Sequence, residues 1–130
     1  RLVEVLEGAQ HSIYFMAYSF TADALAEVML AKFQEGVAVS GVFDRDQVKS
    51  NRGGEYNRLL QAGIPVRLDS NPDLMHHKVI IVDQKIVITG SYNFSYNAET
   101  RNDENLLILF NAELARQFVQ EFERLYQAAE

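Results

Sequence analysis

Met75-His76-His77-Lys78-Val79-Ile80-Ile81-Val82-Asp83-Gln84-Lys85-Ile86-Val87-Ile88-Thr89-Gly90-Ser91-Tyr92-Asn93 sets the architecture of the chain. Two short runs of Val and Ile, Val79–Val82 and Ile86–Thr89, flank the polar Asp83-Gln84-Lys85. Runs of this length and composition form strands, and the polar break between them predicts a tight hairpin. Side chains two apart on a strand share a face. His76 and Lys78 therefore point the same way, and His77 points to the other side.

Upstream of the hairpin, strands and helices alternate. Leu2, Val5, Leu6 and Ala9 recur at helical spacing. His11 to Phe20 is too continuously apolar and aromatic for a half-exposed strand and predicts a buried one. Thr21 can cap a helix with apolar positions Leu25, Val28, Met29 and Phe33, ended by Gly36 as a left-handed cap. Val37–Phe43 predicts a strand, Asp44–Gly54 a loop, Glu55–Ala62 a short helix closed by Gly63, and Ile64–Leu68 a strand. Asp69-Ser-Asn-Pro-Asp73 is a turn. Downstream, Ser91–Asp103 is a long polar loop and Leu106–Phe110 an apolar strand. Asn111 caps a closing helix that turns Leu114, Phe118, Phe122 and Leu125 inward. The expected fold is α/β, a mixed β-sheet flanked by helices. With no repeat, linker or low-complexity segment, residues 1–130 read as one domain.

The 130 residues are 48% hydrophobic and 23% charged, a composition that suits a packed core rather than disorder. Cys is absent, which excludes a disulfide framework, a thiolate zinc site and a cysteine nucleophile. No run of about 18 apolar residues is present, so no segment is expected to span a membrane. The chain starts at Arg1 without a signal peptide, which reads as a mature product or a fragment and leaves the compartment open. Twelve Lys and Arg against eighteen Asp and Glu give a net charge of −6. Bulk charge therefore does not attract a polyanion, and any phosphate contact must come from a local basic patch. Arg45, Lys49, Arg52 and Arg58 form such a patch, on and after one loop, and Arg101 is a further candidate for holding a substrate backbone.

His76, Lys78 and Asp83, followed after six residues by Gly90, Ser91 and Asn93, resemble the signature of the phospholipase D superfamily: His, one residue, Lys, four residues, Asp, six residues, Gly-Ser, one residue, Asn. Tyr18–Phe20 before the motif and Glu104-Asn105 after it extend the resemblance. It is closest to members with a single motif copy, such as small bacterial endonucleases. The family's usual extra strand before the first helix has no counterpart in this chain. The resemblance implies a phospholipase D-like phosphodiesterase that needs no cofactor or metal ion. In it one His76 attacks phosphorus to form a phosphohistidine, and a second His protonates the leaving oxygen and then activates water. With one motif per chain, the second His must come from another copy, so the resemblance implies a homodimer with a shared site. Related bacterial enzymes are often exported, but nothing in this sequence shows export, so its localisation is unknown.

The residue types suit that chemistry on their own terms. Lys78 can bind nonbridging phosphate oxygens beside the His76 imidazole, and Ser91 and Asn93 can donate hydrogen bonds to the same group. Glu104 can accept the other ring N–H of His76 and orient it. Asp83 lies a strand's length away and reads as a turn or salt-bridge residue. A metal held by His76 and His77 is not expected, because their side chains diverge. Tyr14, Phe15, Tyr18 and Phe20 read as core. The expected function is a nuclease on DNA or RNA. The alternatives are a phospholipid hydrolase or phosphatidyl transferase, or an inactive half of a two-motif enzyme.

Overall fold

A computed structural model describes residues 2–17, 23–44, 54–69, 78–90 and 106–129. The elements, numbered over these residues, are α1 (Leu2–Glu7), β1 (Ser12–Ala17), α2 (Asp23–Gln34), β2 (Ala38–Asp44), α3 (Gly54–Gln61), β3 (Val66–Asp69), β4 (Lys78–Val82), β5 (Ile86–Gly90), β6 (Leu106–Phe110) and α4 (Ala112–Ala128). The strands form one sheet in the order β3-β2-β1-β4-β5-β6. The expected mixed sheet with flanking helices is what the chain adopts.

The sheet is two half-sheets joined at a seam. β1, β2 and β3 pair in parallel, as strands separated by helices must when they return to the same edge. β4, β5 and β6 form an antiparallel meander. The halves meet where β1 pairs antiparallel with β4, with Ile13 opposite Val82, Phe15 opposite Ile80 and Ala17 opposite Lys78.

Alternation along the strands divides the core in two. Ile13, Phe15, Val39, Phe43, Ile80, Val82 and Ile88 pack with Leu6, Leu25, Met29 and Leu59 under α1, α2 and α3. Met16, Val42, Val79, Ile81 and Val87 pack on the other face against α4. Both faces of the central strands are therefore buried, which explains their continuous apolar sequence. Tyr14 is half-buried and stacks on Phe122 with ring centroids 5.1 Å apart. Phe15 is fully buried. The expectation of core aromatics holds for these two, while Tyr18 and Phe20 lie outside the described residues.

Local signals account for the helix ends. Gly36 and Gly63 have φ of 101° and 96°, the left-handed conformation that closes α2 and α3. The Asn111 side chain accepts the Leu114 N–H at 3.0 Å and starts α4. The buried stripe of α4 is Ala115, Val119, Phe122 and Leu125, with Leu114 and Phe118 half-buried at its margin. Of the four positions that helical spacing turns inward, Phe122 and Leu125 are buried and Leu114 and Phe118 pack partly buried against the same cluster. Ala115 is fully buried and Val119 nearly so, which sets the contact line through them. At the far end of α4, Arg67 from β3 donates to the Tyr126 carbonyl at 2.7 Å, and its guanidinium lies 4.0 Å from the Tyr126 ring centroid. This contact ties α4 to β3. The β6 edge is apolar, with Leu107 and Phe110 exposed by 58% and 74%.

One close approach holds the parallel half together. Gly41 sits opposite Phe15 in the β1–β2 register. A Cβ at Gly41 would overlap Phe15 Cζ, Cε1 and Cε2. The Phe15 ring is fully buried and meets Phe43 edge-on at 5.4 Å, so it has nowhere to retreat. Gly41→Ala is expected to destabilise the fold by about 1–3 kcal/mol through overpacking, read as a lower urea midpoint with an unchanged m-value. A midpoint equal to that of the wild type would contradict this account of the packing.

Candidate active site

Strand direction places the flanks of the signature, Asp83 apart, at one edge of the sheet. β1, β2 and β3 end there at Ala17, Asp44 and Asp69. β4 runs the opposite way and begins there at Lys78, paired with Ala17. β5 ends there at Gly90, paired with Leu106, the first residue of β6. Six strand ends thus lie in a row: Asp69, Asp44, Ala17, Lys78, Gly90 and Leu106.

His76, Ser91, Asn93, Glu104, Arg45, Lys49, Arg52 and Arg101 lie outside the described residues. Their neighbours in the chain do not. Lys78, two residues after His76, opens β4; Gly90, just before Ser91, closes β5; Asp44, just before Arg45, closes β2; and Leu106 follows Glu104 by two. The backbone places Lys78 in register with Ile80 and Val82 of its strand, whose side chains face α1, α2 and α3. Of the expected substrate contacts, only Arg58 is described with its side chain. It stands exposed on α3 and pairs with Glu27 of α2 at 3.6 Å, bridging two helices on one flank of the sheet.

The Asp of the signature is fully described, and it lies at the opposite edge of the sheet. Asp83 opens the three-residue loop between β4 and β5, where the Lys85 N–H donates to the Val82 carbonyl at 3.0 Å. Asp83 and Gln84 adopt φ of 56° and 55°. Asp tolerates this left-handed region better than most side chains, because its short polar group bonds locally. The Asp83 N–H donates to the Ser12 carbonyl at 2.8 Å. In return, Asp83 Oδ1 accepts the backbone N–H groups of Gln10, His11 and Ser12 at 3.1, 2.7 and 3.1 Å, and Oδ2 accepts that of Gln10 at 3.1 Å. The turn role expected of Asp83 is what the structure shows. The carboxylate's hydrogen-bond partners are the three amides that lead from α1 into β1. Partial burial works against the charge of this carboxylate. The amides of His11, Ser12 and Gln10 and the nearby His11 side chain outweigh that cost and hold its pKa below the ordinary value of 3.8.

Among the described residues, no three His, Asp or Glu side chains come together to hold a metal ion. No described helix is long and apolar enough to cross a membrane. A hollow of about 360 Å³ lined by Asp83, Lys85, Ile86, Phe110 and Ala112 opens at the far edge, away from the signature.

Known proteins resemble the chain over nearly its full length. Residues 2–126 match the family described as "Cardiolipin synthase, PLD-like domain". The human mitochondrial cardiolipin hydrolase is 39% identical over 127 residues, covering 98% of this chain and 50% of that protein. A phospholipase D from Rickettsia typhi is 38% identical over 119 residues, covering 92% of this chain and 58% of that protein. The chain thus spans 50% and 58% of the length of these two relatives. Among solved structures, the phospholipase D family member Nuc from Salmonella typhimurium superposes with a TM-score of 0.85 at 34% identity, covering 99% of this chain and 86% of that one.

Asp83 carries a stability prediction with a definite sign. Its folded pKa is lowered, so its contribution is complete above the unfolded value near 3.8 and is lost as pH falls through the folded value. Asp83→Asn is expected to be less stable than the wild type at pH 7, with the difference shrinking below about pH 4. Urea unfolding at pH 7, 5 and 3 measures it; a difference that grew on acidification would show that the carboxylate is not held as described.

Proposed function

The chain belongs to the phospholipase D-like family, and from that membership we propose that it is a metal-independent phosphodiesterase acting as a nuclease on DNA or RNA. The observation that carries the choice of reaction is the gathering of the signature's flanks, Lys78, Gly90 and Leu106, at one sheet edge. The Nuc match at 34% identity over 99% of the chain supports the same reading.

In the proposed reaction, a His76 ring nitrogen attacks phosphorus as the bond to the leaving oxygen breaks. The His76 of a second copy gives its proton to that oxygen. The now neutral imidazole takes a proton from water, the water oxygen attacks phosphorus, and the P–N bond breaks to release His76. Lys78, Ser91 and Asn93 hold the nonbridging oxygens and supply the charge that a metal ion supplies in other phosphoryl-transfer sites. Glu104 accepts the remaining ring N–H of His76 and fixes its orientation.

Charge distribution supports nucleic acid as substrate. In a chain of net charge −6, Arg45, Lys49 and Arg52 fall together in the segment that leaves β2 at the signature edge, and Arg101 falls in the segment between β5 and β6. Spaced cations of this kind suit successive backbone phosphates. Phospholipid is the second reading, favoured by relatives named for cardiolipin hydrolase and phospholipase D activity. Full-length protein assayed on single- and double-stranded nucleic acid and on cardiolipin vesicles separates the two. Release of phosphatidic acid without nucleic-acid cleavage would reverse the substrate assignment.

Cleavage is expected to persist in excess EDTA. His76→Ala should lower turnover by about a thousandfold or more, and His77→Ala should change it little, because alternation turns His77 to the other face. Loss of activity in EDTA with recovery in Mg²⁺, or a dead His77→Ala beside an active His76→Ala, would contradict the proposal. A shared site makes one further demand. When wild type and His76→Ala are dissociated, mixed equally and reassociated at random, activity per total protein should fall to about a quarter of the all-wild-type value. A fall to about a half would show that each chain works alone.

A further inference from the structure

Helix α2 is apolar over more of its circumference than its packing uses. At 3.6 residues per turn, Asp23, Glu27 and Gln34 fall on one narrow arc, and apolar side chains take most of the rest. Leu25, Ala26 and Met29 are fully buried in the core. Beside them, Val28 is half-buried and Ala24 and Ala31 are exposed. Together with Val3 of α1, these three line an open hollow of about 440 Å³. The outer face of α4 differs: Glu113, Arg116, Gln117 and Gln120 are exposed there, and its apolar stripe is spent on the sheet. A helix that stays apolar beyond its buried face is suited to cover by a further element.

Carboxylates rim the hollow. Glu7 ends α1, and Glu27 and Glu35 lie along α2 and just past its end, roughly 12 Å apart at about 1.5 Å per residue. The cation in the lining, Lys32, is already engaged. Its Nζ donates to the Glu7 carbonyl and to Glu35 Oε1, each at 3.1 Å, and its side chain is only 12% exposed. Arg58 of α3 reaches Glu27 at 3.6 Å, an exposed pair that a competing cation can exchange. Three carboxylates against one ammonium leave the lining negative. Such a rim repels a nucleic-acid backbone or an anionic lipid surface. Its complement is a segment with apolar side chains along one face and Lys or Arg at its sides. A hollow lined from two helices takes such a segment as a third helix, anchored at i, i+3 or i+4, and i+7. We propose that the hollow between α1 and α2 docks a short basic amphipathic helix of a protein partner, its apolar side chains seated on Val3, Ala24, Val28 and Ala31 and its cations beside Glu7, Glu27 and Glu35. Glu7 and Glu35 mark the end of the hollow at the Asp83 edge of the sheet, where β1 and β2 begin. Docking there does not rest on the phosphodiesterase reading.

The probe is a fluorescently labelled synthetic helix of about four turns, with Ala and Leu along one face and Lys on both flanks. Its anisotropy is titrated with the full-length protein. One control peptide has the same composition with the apolar stripe scrambled, and a second keeps the stripe and carries Glu in place of Lys. The first peptide is expected to bind saturably, the scrambled one at least about tenfold more weakly, and the Glu peptide not at all. Ala31→Trp fills the hollow and Glu7→Lys reverses one charge of its rim, so each should weaken binding about tenfold, with a urea midpoint near that of the wild type showing that the fold is intact. In NMR spectra of the complex, the methyl signals of Val3, Val28 and Ala31 should shift. Equal binding of the ordered and scrambled peptides would reduce the effect to bulk charge and overturn the inference. No binding of the ordered peptide, shifts confined to another face, or binding indifferent to both variants would overturn it as well. A wild-type dimer that Ala31→Trp dissociates would give the hollow to a second copy and likewise overturn the choice of partner. If Ala31→Trp fails to fold, Glu7→Lys and the methyl shifts decide the outcome.

Discussion

A single carboxylate accepting three successive backbone N–H groups joins the two halves of this sheet at the end of their common seam. On one side lie parallel strands linked through helices, and on the other an antiparallel meander. Each half carries its own instructions. Helical connections enforce parallel pairing, and the short loop at Asp83–Lys85 enforces the hairpin. The join between them is long-range in sequence, and Asp83 ties its hairpin end to the start of β1. A charged acceptor suits this task because hydrogen bonds to an ionised group are stronger than neutral ones and leave a heavy penalty when unmade.

The arrangement also separates two kinds of work within one sequence signature. Lys78 and Asp83 stand only five positions apart in sequence, yet β4 places them at opposite edges of the sheet. At one edge the chain leaves six strand ends in a row, from which the segments carrying His76, Ser91, Asn93 and Glu104 depart. At the other edge the hairpin is tied to the start of β1, and the Asn111 N–H, just before α4, donates to the Lys85 carbonyl at 2.9 Å. The hairpin is thus anchored to both neighbouring layers at the end where no phosphate chemistry is proposed. Rigid support at a distance from the reacting atoms is what precise placement of a phosphate clamp demands.

Much of this was legible in the residues. Val79–Val82 and Ile86–Thr89 announced the hairpin, Gly36 and Gly63 ended their helices in the left-handed conformation, and Asn111 capped α4, all because short-range sterics and hydrogen bonding settle such features locally. The spacing of His76, Lys78, Gly90, Ser91 and Asn93 was readable as a resemblance to a family signature, while strand alternation by itself related only His76 and Lys78. The family match over residues 2–126 shows the family that the signature resembles. Other features needed the third dimension. Only packing decided that Ala115 and Val119, rather than Leu114 and Phe118, form the buried centre of α4, because helical period leaves the contact line free by one residue. Only the pairing of β1 with β4 showed that Asp83 addresses the amides of Gln10, His11 and Ser12, more than seventy residues away. Sequence periodicity encodes which face a side chain takes. It carries no record of which distant backbone groups the fold will bring within reach.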